Sequence, residues 1–147
     1  MVISLKCQYA IRGVLELARH YGQAAAVPVS AIGRTYGIST RFLVVILNEL
    51  KRGGFVRSKR GVQGGFLLAV PPKELHVGDI IRFVDGPMDP VRCVVGRDAR
   101  VCPRWARCSL KGLWAQAREA MEQVCDSATF EDLVRQEHGV PTPDYCI

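Results

Sequence analysis

Three cysteines lie close together in the sequence and could bind a metal or undergo oxidation. Cys93, Cys102 and Cys108 are separated by eight and then five residues, which gives a loop enough slack to place three thiolates around one iron-sulfur cluster. Positive charge favours the thiolate form, which ligates metal and is oxidised. The arginines that supply this charge are Arg92, Arg97, Arg100, Arg104 and Arg107. The spacing fits a 2Fe-2S and a 4Fe-4S cluster equally well.

Other interpretations of these thiols stay open at this point. A zinc site could be completed by His20, His76 or His138, although the chain has no fixed Cys/His spacing. Reversible disulfide or sulfenate formation is a second alternative, and inert cysteines are a third. A thiol oxidoreductase is disfavoured because the chain lacks a CxxC pair and has only three histidines to act as bases. We therefore expect a protein that is not an enzyme.

A second chemically active set of side chains is polar and basic and lies between Ile38 and Gly65. After Ser39, a residue type suited to an N-cap, apolar residues recur with helical spacing at Phe42, Leu43, Ile46, Leu47 and Leu50. The opposite face carries side chains that can bond base edges and phosphates in a major groove. Including the segment that follows, the candidate DNA-binding residues are Ser39, Thr40, Arg41, Asn48, Lys51, Arg57, Lys59, Arg60 and Gln63.

The segment that follows this helix predicts a basic hairpin. Gly53 and Gly54 end the helix, and residues 55–58 and 66–69 form two short strands. The loop at 59–65 contains three glycines and outward-pointing cations, which is typical of a wing. With Pro28 in the first turn of a preceding helix, residues 28–50 have the length of a helix-turn-helix. We expect Arg41 to reach base edges and Arg60 to enter the adjacent minor groove.

The remaining helices must position the loop cysteines and the candidate DNA-binding residues. A long first helix spans residues 3–21, with Glu16 and Arg19 away from its buried face and Tyr21 on that face. A short helix at 79–85 packs the wing against it, and Thr129 caps a last helix at 130–137. Between them, Ser109 caps a long helix with an apolar seam, which indicates either a two-fold dimer contact or packing on the protein's own core. The seam residues are Leu110, Leu113, Trp114, Ala117, Met121 and Val124.

We therefore predict a mainly α fold with a small β-hairpin. Residues 1–87 form a winged helix-turn-helix DNA-binding domain, 88–109 a cysteine-bearing sensor loop, 110–138 the dimerisation helix and a short packing helix, and 139–147 a flexible tail. The net charge of +6 suits a polyanionic partner. No apolar run approaches the roughly 20 residues that span a bilayer, and the N-terminus lacks a signal-peptide core, so we expect a cytoplasmic protein without a membrane partner.

The order of these features resembles the Rrf2 family of bacterial transcription regulators. The resemblance rests on Tyr9-Ala10 in the first helix, GIS at 37–39, RGVQGGFLLAVPP at 60–72, DIIRFVDGP at 79–87, and three loop cysteines before a long helix. It extends to about Gly139. It implies a homodimeric winged helix-turn-helix protein that binds near-palindromic double-stranded promoter DNA.

The resemblance also bears on the cofactor. Several family members sense iron, redox state or nitric oxide through an iron-sulfur cluster, while others lack a cluster. Some relatives use a histidine three residues after the third cysteine, but here that residue is Lys111. Others take a carboxylate from the partner's first helix, where this chain has Gln8 beside Cys7. The sequence thus predicts a cluster-switched regulator with Cys7 or Gln8 as candidate fourth ligand, or alternatively a cluster-free regulator that responds to a thiol redox change, a small ligand or a partner protein.

Overall fold

The computed structural model describes residues 3–91, 104 and 107–139. Within them the chain is mainly α with one two-stranded antiparallel hairpin, as predicted. The elements in order are α1 (Leu5–Arg19), α2 (Val29–Tyr36), α3 (Thr40–Arg52), β1 (Val56–Lys59), β2 (Gly65–Leu68), a short 3-10 helix (Pro72–Glu74), α4 (Val77–Asp85), α5 (Lys111–Ser127) and α6 (Phe130–Gly139). Cys93, Cys102 and residues 140–147 of the predicted tail lie outside the described residues, while Gly139, the first residue of that predicted tail, is the last residue of α6.

Helix α1 is the centre of the main core and contacts α3, α4 and α6. Its inward residues Ala10, Val14 and Leu17 are at most 1% exposed. Two expectations for this helix were wrong. Glu16 is buried because Arg19 reaches it and also bonds Glu137 of α6, whereas Tyr21 lies beyond the end of α1 and is largely exposed. Arg19, three residues along the same helix, neutralises the buried carboxylate, and the distant Glu137 in turn holds Arg19 in place, which the local pattern does not reveal.

The helix-turn-helix is formed by α2 and α3. Gly37 ends α2 in the left-handed conformation at φ 63°, and Ile38 N–H donates to the Gly33 carbonyl oxygen at 3.0 Å. A Cβ on Gly33 would lie 2.8 Å from the Ile38 oxygen, so glycine is required for this tight turn. Ser39 occupies the N-cap position of α3, although its side chain makes no capping hydrogen bond.

The wing is β1 and β2, paired from Val56 with Leu68 to Lys59 with Gly65. An isolated bridge joins it to the segment before α2: Val27 N–H donates to the Phe66 oxygen and Phe66 N–H donates to the Val27 oxygen, both at 2.9 Å. Gly65 faces this contact, and a Cβ there would collide with the Val27 carbonyl. The hairpin is thus held against the body of the domain on its β2 side.

Helices α4 and α6 pack against α1, and α5 packs against α4. Phe83 of α4 packs edge-on against Phe55, with ring centroids 5.1 Å apart, and so braces the turn between α3 and the wing. Arg82 of α4 bonds Asp126 of α5 through two nitrogens at 2.8 and 3.0 Å. The start of α5 differs by one position from the prediction, because Leu110 rather than Ser109 is its N-cap residue.

The last helix begins where the sequence predicts. Thr129 Oγ1 accepts from Asp132 N–H at 3.1 Å and donates to the Asp132 carboxylate at 2.5 Å, which satisfies the first turn of α6. Phe130 behind this cap is completely buried in the main core. No helix in the described part of the chain is long and apolar enough to cross a bilayer.

Candidate DNA-binding surface and cysteine site

The face of α3 that points away from the core carries the predicted polar residues. The core-facing residues Leu43, Ile46, Leu47 and Leu50 are at most 1% exposed, while Ser39, Thr40, Arg41, Asn48 and Lys51 are all exposed. Phe42 was assigned to the buried stripe, and that assignment was wrong. It is 39% exposed and lies beside α1, where its ring meets the edge of Tyr9 with centroids 5.8 Å apart. Helix α3 therefore has a polar strip that is bordered by α1 on one side.

The wing presents the other predicted residues next to this strip. Arg57, Lys59, Arg60 and Gln63 are exposed, whereas Val56 at the base of β1 is 2% exposed. Lys51 Nζ donates to Ser58 Oγ at 2.7 Å, which ties the last turn of α3 to the middle of β1. This bond fixes the helix and the wing as neighbours on one surface.

The net charge of this surface is positive. The single carboxylate of α3, Glu49, accepts from Lys6 of α1 at 3.0 Å and is neutralised there. Lys51 and Arg52 end the helix and the wing adds three cations. A surface of this composition attracts a polyanion such as a DNA backbone.

Sequence reasoning missed three exposed residues of this surface. Val44 and Val45 are 40% and 58% exposed and lie between Arg41 and Asn48 on the outward face of α3. Val62 at the wing tip is fully exposed. Helical spacing could have revealed the first two, because residues three and four positions after Arg41 share its face.

Only one of the three loop cysteines lies in the described part of the chain. Cys108 is free and half-buried, three residues before α5 begins. An unpaired and partly accessible thiol fits the requirements of a cluster ligand.

The candidate fourth ligands occupy very different environments. Cys7 is completely buried in a second apolar cluster with Ile81 and Met88. Burial, followed by the nearby Asp85 carboxylate, raises the pKa of Cys7 to about 12. Gln8 is exposed, and its Nε2 donates to the Ile3 carbonyl oxygen at 3.0 Å. In this conformation the side chain of Gln8 is accessible from outside the chain, whereas that of Cys7 is not.

Two of the three histidines considered for zinc have other neighbours, and the side chain of His138 lies outside the described part of the structure. His20 lies 3.2 Å from the Gln23 oxygen and 3.4 Å from the Glu16 carboxylate. His76 stands before α4 with its ring 3.6 Å from the Asp79 carboxylate. Within residues 3–91, 104 and 107–139, no group of three or more His, Cys, Asp or Glu side chains is arranged to hold a metal ion.

Comparison with known proteins decides the family. The sequence model of the Rrf2 family, described as an iron-dependent transcriptional regulator, matches residues 3–136 of this chain. The chain belongs to the Rrf2 family. Its family is one of transcriptional regulators, which confirms the predictions of a regulator and of a protein that is not an enzyme.

Individual Rrf2 relatives match over nearly the whole chain. The HTH-type transcriptional regulator CymR of Bacillus subtilis is 32% identical over 139 residues, covering 95% of this chain and 94% of that protein. The HTH-type transcriptional regulator IscR of Pectobacterium carotovorum is 31% identical over 144 residues, covering 98% and 85%. The solved structure of CymR, titled the global cysteine regulator of B. subtilis, superposes with a TM-score of 0.76 over 92% of this chain and 98% of that chain at 32% identity.

In this Rrf2 protein the seam predicted for dimerisation separates into two faces of α5. Met121 of the seam points inward and packs on the cluster around Cys7, beside Cys125, which was not assigned to the seam. Leu110, Leu113 and Val124 point outward and are 50%, 54% and 68% exposed. Helix α5 contains no buried residue in the single chain. Packing on the protein's own core therefore applies to Met121, while the dimer contact stays a prediction for the exposed residues of the seam.

Proposed function

We propose that the chain is a cytoplasmic homodimeric regulator that binds near-palindromic promoter DNA through α3 and the wing of each subunit. The carrying observation is the continuous exposed surface of cations and amides on α3 and β1, fixed by the bond from Lys51 to Ser58. A helix with an exposed polar face fits the major groove, and an arginine at a wing tip fits the narrower minor groove. Arg41 then contacts base edges and Arg60 enters the minor groove.

Phosphate contacts supply the affinity that does not depend on sequence. Lys51 lies at the end of α3, and Arg57 and Lys59 lie on β1, so the three flank the base-reading strip on the wing side. Neutralising a phosphate releases counterions, and each contact steepens the dependence of affinity on salt. Lysine and arginine side chains at these positions thus orient the subunit on the duplex.

The DNA-binding proposal is tested with duplexes selected by the wild-type protein from a randomised library. Fluorescence anisotropy over a series of salt concentrations gives the affinity and its salt slope. We expect Arg60→Gln to weaken binding about 5- to 150-fold, and Lys59→Gln to lower the salt slope by about 1. Arg135→Gln on α6 is the matched control, because Arg135 is an exposed cation on a distant helix. Equal affinity of the wild type and both wing variants would contradict the proposal.

Dimerisation is proposed through the outer face of α5. Leu110, Leu113, Ala117 and Val124 recur with spacings of three, four and seven residues, which is the a/d periodicity of a helix pair. The large exposed fractions of the two leucines and Val124 leave apolar surface that a second copy would bury. The palindromic operator expected for the family requires such a two-fold arrangement.

The sensor proposed for this dimer is an iron-sulfur cluster bound by Cys93, Cys102 and Cys108. Three thiols form a suitable donor set, and Cys108 is free and partly accessible. When bound, a cluster responds to electrons, iron supply or nitric oxide, which is consistent with a family described as iron-dependent. Cys108 lies three residues before α5, so the position of its thiol is coupled to the proposed dimer helix. Gln8 of the other subunit is the preferred protein donor for the fourth position because Cys7 is buried.

Anaerobic purification tests the cluster. We expect a coloured protein with a broad visible absorption band, containing iron and acid-labile sulfide. Alanine at Cys93, Cys102 or Cys108 should remove the band, whereas Cys125→Ala should retain it because Cys125 packs in the second apolar cluster. A colourless, iron-free protein that still binds the selected duplex would contradict this part of the proposal alone.

A cluster-free regulator is the second candidate. It is favoured by the similarity to CymR, whose structure is titled that of a global cysteine regulator. In this case the loop cysteines respond to a thiol redox change, or the regulator responds to a small ligand or a partner protein. DNA binding by the iron-free protein that changes on mild oxidation, and that no longer changes after Cys108→Ala, would support thiol sensing.

A further inference from the structure

Two valines on the outward face of α3 lie outside the hydrophobic core. Val44 and Val45 are 40% and 58% exposed, whereas the four core-facing residues of the same helix are at most 1% exposed. Valine is also a weaker helix former than alanine because its branched side chain loses χ1 freedom. Neither core packing nor helix propensity explains an apolar pair at this place.

The two valines lie in a strip that is otherwise polar. Arg41, Val44, Val45 and Asn48 occupy positions i, i+3, i+4 and i+7, so they follow one another along one face of α3. At 1.5 Å per residue the strip is roughly 10 Å long, close to the length of three stacked base pairs. Arg41 and Asn48 at its ends carry the donors that bind guanine and adenine edges in the major groove.

The surroundings indicate DNA as the occupant of this face. Lys51 and Arg52 end the same helix, the bond from Lys51 to Ser58 ties this end to the wing with its three cations, and the one carboxylate of α3 is already paired with Lys6. An apolar protein partner would have to bury these cations without counter-charges, which is costly. A duplex instead supplies phosphates for the cations and apolar groups for the valines in the same groove.

Building on the proposed function, we infer that Val44 and Val45 recognise the C5 methyl groups of thymines between the bases contacted by Arg41 and Asn48. Thymine is the one DNA base that presents a methyl group in the major groove. At the same positions, guanine, adenine or cytosine would place polar edges against a side chain that cannot bond them. The operator half-site therefore contains thymine at its centre.

Deoxyuridine tests the inference because it removes only the methyl group. Each thymine of the selected duplex is replaced in turn, and affinity is measured by fluorescence anisotropy. At one or two central positions of each half-site we expect wild-type affinity to fall about 3- to 10-fold, the value of one buried methyl. Replacement elsewhere should have no such effect.

Alanine variants then assign the effect to the valines. Val44→Ala and Val45→Ala should each bind the thymine duplex less tightly and lose sensitivity to deoxyuridine at one position, since both side chains are exposed and alanine favours the helix. Leu5→Ala, which removes an exposed apolar side chain from α1, is the matched control and should keep full sensitivity.

The possible failures are distinguishable. If the duplex is bound with sequence preference but no central deoxyuridine weakens it, or if the valine variants keep the same sensitivity, the methyl-recognition inference is wrong while the proposed function stands. If no duplex is enriched over non-specific binding and Arg60→Gln has no effect, the proposed function is wrong and the inference falls with it.

Discussion

Replacing Gly65 with alanine should detach the wing from the body of the domain. The added Cβ would collide with the Val27 carbonyl, which accepts one of the two hydrogen bonds of the bridge between Val27 and Phe66. Both bonds must lengthen or break to relieve this collision. At a net value of about 0.5–1.5 kcal/mol each, their loss lowers the free energy of unfolding by about 1–3 kcal/mol. For a chain of 147 residues this corresponds to a fall in Tm of about 3–10 °C.

Thermal unfolding followed by circular dichroism measures this change, and anisotropy with the selected duplex measures its functional effect. Affinity should fall even where the protein is fully folded, because the wing carries Arg60. Gly112→Ala is the matched control: Gly112 lies in α5 with open space around its Cβ position. That substitution should stabilise the protein by about 0.5–1 kcal/mol. An unchanged Tm and unchanged affinity for Gly65→Ala would refute the reasoning.

Three further predictions concern other parts of the molecule. Arg19→Met should lower the free energy of unfolding by about 1–3 kcal/mol in urea titrations, because it leaves the buried Glu16 carboxylate without its cation; a smaller change than that of Arg135→Met would contradict this. Leu113→Glu should convert the proposed dimer into a folded monomer in light scattering, since the side chain is 54% exposed in the single chain; a dimer that persists in this variant would exclude the outer face of α5 as its interface. Burial raises the pKa of Cys7 from 9.0 to about 12, so the folded state keeps a proton that the unfolded state loses, and stability falls as pH rises through this window. Between pH 9.0 and about 12, the urea midpoint of Cys7→Ala should fall less than that of the wild type. Parallel pH profiles of the two proteins would show that burial does not keep the thiol protonated.

Elements set by local sequence were predictable. The apolar recurrence at Leu43, Ile46, Leu47 and Leu50 fixed the buried face of α3, and the glycines around the hairpin fixed the wing to within one residue. The cap at Thr129 was also correct because both partners are three residues apart. In each case the physical cause lies within one helical turn or one hairpin.

Features that depend on distant partners were not predictable. The burial of Glu16 requires Arg19, which in turn bonds Glu137 more than a hundred residues away. The division of α5 into two faces depends on the second apolar cluster, which forms only when α1, α4 and α5 meet. Spacing could show that the residues share a helix but could not show which of them another element covers.

The hydrogen bonds between Ser4 and Asp85 bear on how a change in the cysteine segment, the predicted sensor loop at 88–109, could reach the helices around it. Ser4 N–H and Oγ donate to the Asp85 carboxylate at 2.8 and 2.5 Å, which pins the end of α4 to the start of α1. On the other side of the segment, α5 is joined to the body of the domain through Arg118, which lies 3.5 Å from the Asp89 carboxylate, through Met121 and Cys125, and through the pair of Arg82 with Asp126. The described residues on both sides of the segment are thus attached to the same group of helices. A change in the segment would therefore bear on α1, α4 and α5 together, the three helices that meet around Cys7.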